Sequence, residues 1–77
     1  MKTLNEFVAL FAEQFEETDV NLIKPETHFR DIEEWSSLIG LSLIAMVDEE
    51  FDVALKGEDV RKSITVEDLY KTVISKM

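Results

Sequence analysis

The stretch EEWSSLIGLSLIAMVDEEF, residues 33–51, decides how this chain folds. An acidic pair and a tryptophan lead to two serines. Either Ser36 or Ser37 can cap a helix there, because a hydroxyl oxygen at the cap accepts an orphan amide of the first turn. The helix is expected to run to about Phe51. With an advance of about 100° per residue from Ser37, Gly40, Leu43, Ile44, Val47 and Phe51 fall on one arc of about 100°, the expected core face. Leu38, Ile39, Ser42, Ala45, Met46 and Glu49 fall on a different, largely opposite arc. A small chain is expected to bury the first arc and leave the second mostly in water. The expectation is a contiguous apolar patch beside Ser37, and patches of that kind bind partners.

On the N-terminal side, Thr3 and Glu6 form a capping box in which hydroxyl and carboxylate each satisfy an amide of the opening turn. Leu4, Phe7, Val8, Phe11 and Phe15 then recur at steps of three and four, the stripe of an amphipathic helix expected to run to about Glu17. From Thr18 to Trp35 the periodicity is lost and Pro25 forbids a helix through its position, so the sequence predicts a long loop. Val20, Leu22, Ile23, Phe29 and Ile32 are expected to pin that loop to the helices. On the C-terminal side, the segment from Gly57 to Lys62 suits a short helical turn. Thr65 and Asp68 cap a last helix carrying Leu69, Tyr70, Val73 and Ile74. The expected fold is all-α: a small four-helix bundle, three helices long and one short, forming a single domain over residues 1–77.

Length and charge narrow the function. A chain of 77 residues buries only about 60% of its unfolded surface, so every element must contribute to one small core. Eight Lys and Arg stand against 17 Asp and Glu, a net charge of −9. That sign repels nucleic-acid phosphates and anionic membranes and favours basic protein surfaces. No cysteine is present, so the fold does not depend on disulfides. Asn5 and Glu6 interrupt the first apolar run where a signal peptide would remain apolar. A soluble cytoplasmic monomer, bound to neither nucleic acid nor membrane, is the expectation. The acidic run from Asp48 to Asp59 fails as a calcium loop: started at Asp48, the glycine position is Val53, and started at Asp52, ligand positions three and five are Ala54 and Lys56. The run is expected to be a solvated face that attracts partners. His28 is expected at the loop surface, and Trp35 is expected to anchor the loop against the bundle.

The company kept by Ser37 resembles the acyl carrier protein family over nearly the whole chain. That family opens its second helix with Asp-Ser-Leu and closes it with acidic residues and a phenylalanine. Here Ser36-Ser37-Leu38 opens the segment and Asp48-Glu49-Glu50-Phe51 closes it. The segment from Lys24 to Phe29 looks like the family's preceding loop, and Trp35 looks like a subgroup of stand-alone carriers of specialised pathways. The resemblance implies a 4'-phosphopantetheine arm on Ser37, attached through a phosphodiester by a phosphopantetheinyl transferase that uses coenzyme A and a divalent metal. It implies an acyl or aminoacyl thioester on the arm, exchanged with acyl-loading and acyl-accepting enzymes. The bottom-up chemistry agrees: a chain without cysteine needs a cofactor to supply a thiol, and a helix N-terminus favours a phosphodiester. Ser37 would be a tether, and the chain would not itself be an enzyme.

Two departures from the family pattern stand out. Ser36 replaces the aspartate that precedes the modified serine. Ile39 and Ser42 replace acidic residues that face partners in fatty-acid-synthesis carriers, leaving Asp48 and Glu49 as the acidic end of the docking face. The expected docking residues are Leu38, Ile39, Ser42, Ala45, Met46, Asp48 and Glu49, and the expected partners are dedicated enzymes. A second reading takes Ser36 as a mark of lost modification. It makes the chain an unmodified helical interaction module that uses the same apolar face.

Overall fold

The structure is a computed structural model that describes residues 2–77. Its described residues form four α-helices and no strand: α1 (Leu4–Ala12), α2 (Ser37–Phe51), α3 (Gly57–Lys62) and α4 (Val66–Ser75). α1 packs against α4, and α3 packs against both α2 and α4. Among the described residues no helix is long and apolar enough to cross a membrane.

Each helix starts where its local chemistry allows. The Thr3 hydroxyl accepts the Glu6 amide at 3.2 Å, while the Glu6 carboxylate accepts the Thr3 amide at 3.0 Å. Thr65 and Asp68 repeat the exchange at α4, at 3.1 and 3.0 Å. The first amides of α4 are satisfied from a distance in sequence: Val66 donates to the Thr27 carbonyl and Glu67 to that of Pro25. An isolated antiparallel bridge between His28 and Thr65 accompanies them. The long loop is thereby sewn to the start of α4.

α1 stops at Ala12, short of the expected Glu17. The amides of Gln14 and Phe15 turn back to the carbonyls of Phe11 and Ala12, three residues away, which tightens the chain out of α geometry. The next three amides, those of Glu16, Glu17 and Thr18, donate to the carboxylate of Glu34 at 2.8, 3.0 and 2.9 Å. A side chain 16 to 18 residues away therefore takes the donors that a longer helix would use. Phe15 still reaches the core from this turn.

The loop contains two short 3-10 turns, Val20–Leu22 and Phe29–Asp31. Ile23 and Phe29 are buried and Ile32 packs against the core, as expected. Val20 and Leu22 do not pin the loop; both are exposed. The first turn bends so that its Asp19 cap accepts the Asn21 amide at 2.9 Å, which leaves its apolar side chains facing outward.

A chain of aromatic contacts runs through a core that is otherwise aliphatic. Phe7 meets Phe51 at 5.7 Å and Tyr70 at 5.6 Å between ring centroids, and Phe11 meets Phe15 at 5.4 Å and Phe29 at 6.0 Å. Phe29 meets Trp35 edge to face at 4.9 Å. Trp35 therefore anchors the loop against the bundle. Tilted and edge-on pairs of this kind add about 0.5–1.5 kcal/mol each beyond the area they bury. α2 is capped at its C-terminus by Asp52, whose backbone is left-handed at φ 56°, a conformation that aspartate tolerates better than most residues.

Candidate functional site

The site is the N-terminal half of α2 with the loop before it and α3 beside it. Glu34 and Trp35 fix the approach of the chain: one is bound to the turn after α1, the other packed on Phe29. Ser36 then takes an extended backbone, and its hydroxyl oxygen accepts the Ile39 amide at 3.4 Å. Ser36 is the cap. Ser37 is the first helical residue, exposed, and relieved of the capping role.

On the other side of the mouth, Arg30 holds α3 in place. Its guanidinium donates to the Val60 carbonyl at 2.9 Å and to the Ser63 carbonyl, where a cation complements the negative end of the short helix. Between α2 and α3 lies a cleft of about 370 Å³. Trp35, Leu41, Ile44 and Val60 give it an apolar wall, and Ser37 stands at its edge. Gly40 also lines it, and a β-carbon there would meet the Trp35 ring at 3.7 Å, ordinary contact distance.

The structure places the expected docking residues unevenly. Leu38, Ser42, Ala45, Asp48 and Glu49 are exposed, with Leu38 at 76%. Met46 is 7% exposed and belongs to the core, and Ile39 is half-buried against it. Both depart from the expected outer face for one reason. α2 has neighbours on more than one side, so its covered arc runs from Met46 through Leu43 and Val47 to Ile44, about 160° of the wheel instead of about 100°. Leu41, which belonged to neither expected arc, is 64% exposed. Its wheel position between Ser37 and Ala45 was the available signal. The outer face near Ser37 is thus a strip of Leu38, Leu41 and Ala45, bordered by Ser42 and running down to Asp48 and Glu49.

Four carboxylates are held below their ordinary range. The Thr18 hydroxyl is the main cause at Glu34, assisted by the three backbone amides. Backbone amides dominate at Glu6, Asp59 and Asp68, donated by Thr3, Lys56 and Thr65 respectively. All four carboxylates fasten the scaffold. His28, the one histidine, lies at the loop surface with Nδ1 3.9 Å from an Asp31 carboxylate oxygen.

Comparison of the chain with family models, curated proteins and solved structures finds no match.

Proposed function

We propose that the chain is a carrier protein of the acyl-carrier type, in which Ser37 tethers a 4'-phosphopantetheine arm. The observation that carries this reading is the division of labour between two adjacent serines: Ser36 caps α2, and Ser37 presents its hydroxyl at the helix mouth beside an apolar cleft. The residues fit the group. The hydroxyl is on an exposed residue, first-turn amides and the helix dipole favour the phosphate, and an apolar cleft of about 370 Å³ adjoins the residue.

Attachment uses Ser37 as the acceptor. Its oxygen forms a bond to phosphorus and its proton is lost to the medium, while the pyrophosphate linkage of coenzyme A breaks and the adenosine bisphosphate departs. The arm supplies a thiol on which an acyl or aminoacyl group is held as a thioester. The chain's own contribution is presentation: Glu34 and Trp35 fix the approach to α2, Leu38, Leu41 and Ala45 offer an apolar strip to partner enzymes, and Asp48 and Glu49 add charge for basic partner surfaces. In this reading the protein is a cytoplasmic substrate of a phosphopantetheinyl transferase and of acyl-loading and acyl-accepting enzymes, and is not a catalyst.

The exposure of Leu38 and Leu41, together with serine in place of aspartate at position 36, also suits an unmodified interaction module. Incubation with coenzyme A, Mg²⁺ and a broad-range transferase, followed by intact mass measurement, separates the two readings. A carrier gains the mass of one arm. The interaction module gains none.

A further inference from the structure

The cleft beside Ser37 has a charge opposite to that of the protein. The chain has two arginines, Arg30 and Arg61, and both line this cleft. Among the described residues Lys2, Lys62, Lys71 and Lys76 form ion pairs with carboxylates, while Lys24, Lys56 and both arginines do not, and of these four only the arginines line the cleft. Arg30 is committed to the carbonyls of Val60 and Ser63. Arg61 is exposed, and its Nη1 lies 3.5 Å from the point that a β-carbon on Gly57 would occupy, so the guanidinium folds back along the first turn of α3. A molecule of net charge −9 has thus placed an unpaired guanidinium over an apolar wall.

The neighbouring groove on the α1 side has the reverse character. It is lined by Glu16 and Glu34 and by Ser36 in place of Ser37. Glu34 already accepts four hydrogen bonds there. A cationic cargo would find its counter-charge in that groove, away from the tether and partly used. An anionic cargo finds two guanidinium groups in the cleft that Ser37 borders.

We infer that the cleft between α2 and α3 selects an acyl cargo with a short aliphatic stem and a terminal carboxylate, which pairs with Arg61. The inference rests on the carrier reading. The stem lies on Leu41, Ile44 and Val60, and the fork of the guanidinium suits a carboxylate. The space is adequate: with about 30 Å³ per water, the cleft holds the volume of about a dozen waters, enough for a few methylenes and a carboxylate. A neutral cargo would need no cation there. A carboxylate brought up to so acidic a protein does.

The test loads the arm of the wild type, Arg61→Gln and Arg61→Lys with adipoyl, hexanoyl or 6-aminohexanoyl groups, chains of equal length that differ at the far end. Circular dichroism checks that each variant folds. Hydroxylamine cleavage of each thioester is measured relative to the same acyl group on free pantetheine, and Trp35 emission reports occupancy of the cleft. The expected result is that adipoyl is cleaved about fivefold more slowly than hexanoyl on the wild type, the effect of about one charge-assisted contact at a partly exposed site. That difference disappears in Arg61→Gln, returns in part in Arg61→Lys, and is accompanied by a Trp35 emission shift specific to adipoyl. Equal protection of adipoyl and hexanoyl would overturn the inference, as would stronger protection of 6-aminohexanoyl. An equal change of all three cargoes in Arg61→Gln would assign Arg61 to the arm's phosphate and also overturn it. In these three outcomes the arm is present by mass and the carrier reading stands; failure to load any arm removes the carrier reading and the inference together.

Discussion

The carboxylate of Glu34 accepts the Thr18 hydroxyl at 2.7 Å and the Thr18 amide at 2.9 Å, joining the segment that follows α1 to the residue three places before Ser37. This contact sets where the chain enters α2. It is also why the Glu34 carboxyl ionises more readily in the folded state than its ordinary value of 4.5.

The sign of that shift gives a pH prediction. A carboxylate with a depressed folded pKa contributes stability that is full above its unfolded pKa, near 4.5, and is lost as the pH falls through the folded value. Glu34→Gln should therefore be less stable than wild type at neutral pH, and the gap between their urea midpoints should close as the pH is lowered below about 4.5. The comparison cancels the general relief of repulsion that acid brings to both proteins. A gap constant from pH 7 to the acid transition would contradict the role given to the Glu34 carboxylate.

The expected boundaries failed where long-range contacts decided them. Thr3 and Glu6, Thr65 and Asp68, and the start of α2 were legible because a capping residue and its partner lie within one turn. The end of α1 was not legible, since the carboxylate that takes its amides lies in another segment and no local residue announces a stop. Arg30 was missed for the same reason: its partners Val60 and Ser63 are 30 and 33 residues away. At the site, the outer face of α2 was legible at Leu38, Ser42, Ala45, Asp48 and Glu49. Ile39 and Met46 were misplaced because the number of neighbours around α2, and hence the width of its buried arc, is a property of the assembled fold.

That buried arc makes adjacent residues differ. Met46→Ala should cost about 2–3 kcal/mol, since it leaves a cavity beneath α2. Leu38→Ser and Leu41→Ser, one substitution at a time, should stay within about 0.5 kcal/mol. Ile39→Asp should cost about 1–3 kcal/mol, because it pushes a charge against the edge of the core. Denaturant midpoints measure all four. A neutral Met46→Ala with a damaging Leu41→Ser would mean that α2 is rotated relative to the structure.

Gly40 offers a stabilising change next to the site. Glycine inside a helix is disfavoured relative to alanine by about 0.5–1 kcal/mol, and the added methyl would meet Trp35 at ordinary contact distance. Gly40→Ala should raise the thermal midpoint by a few degrees and shift Trp35 emission, because the methyl touches the ring. A lowered midpoint would show that the Trp35 ring cannot accept the contact.

The excess of 17 acidic over 8 basic residues should make the fold salt-sensitive. The lysine ion pairs are partly exposed and contribute little individually. Net self-repulsion should outweigh them, so the melting temperature should rise between low and moderate ionic strength as the repulsion is screened. A flat or falling melting temperature would contradict that balance.

With Ser36 as the cap and Ser37 proposed as the tether, intact mass after treatment with coenzyme A, Mg²⁺ and a broad-range phosphopantetheinyl transferase separates the two serines. Wild type and Ser36→Ala should each gain one arm, with Ser36→Ala destabilised by about 0.5–2 kcal/mol through loss of its cap. Ser37→Ala should gain none and should fold as wild type does. An arm on Ser37→Ala, or no arm on any folded form, would contradict the account.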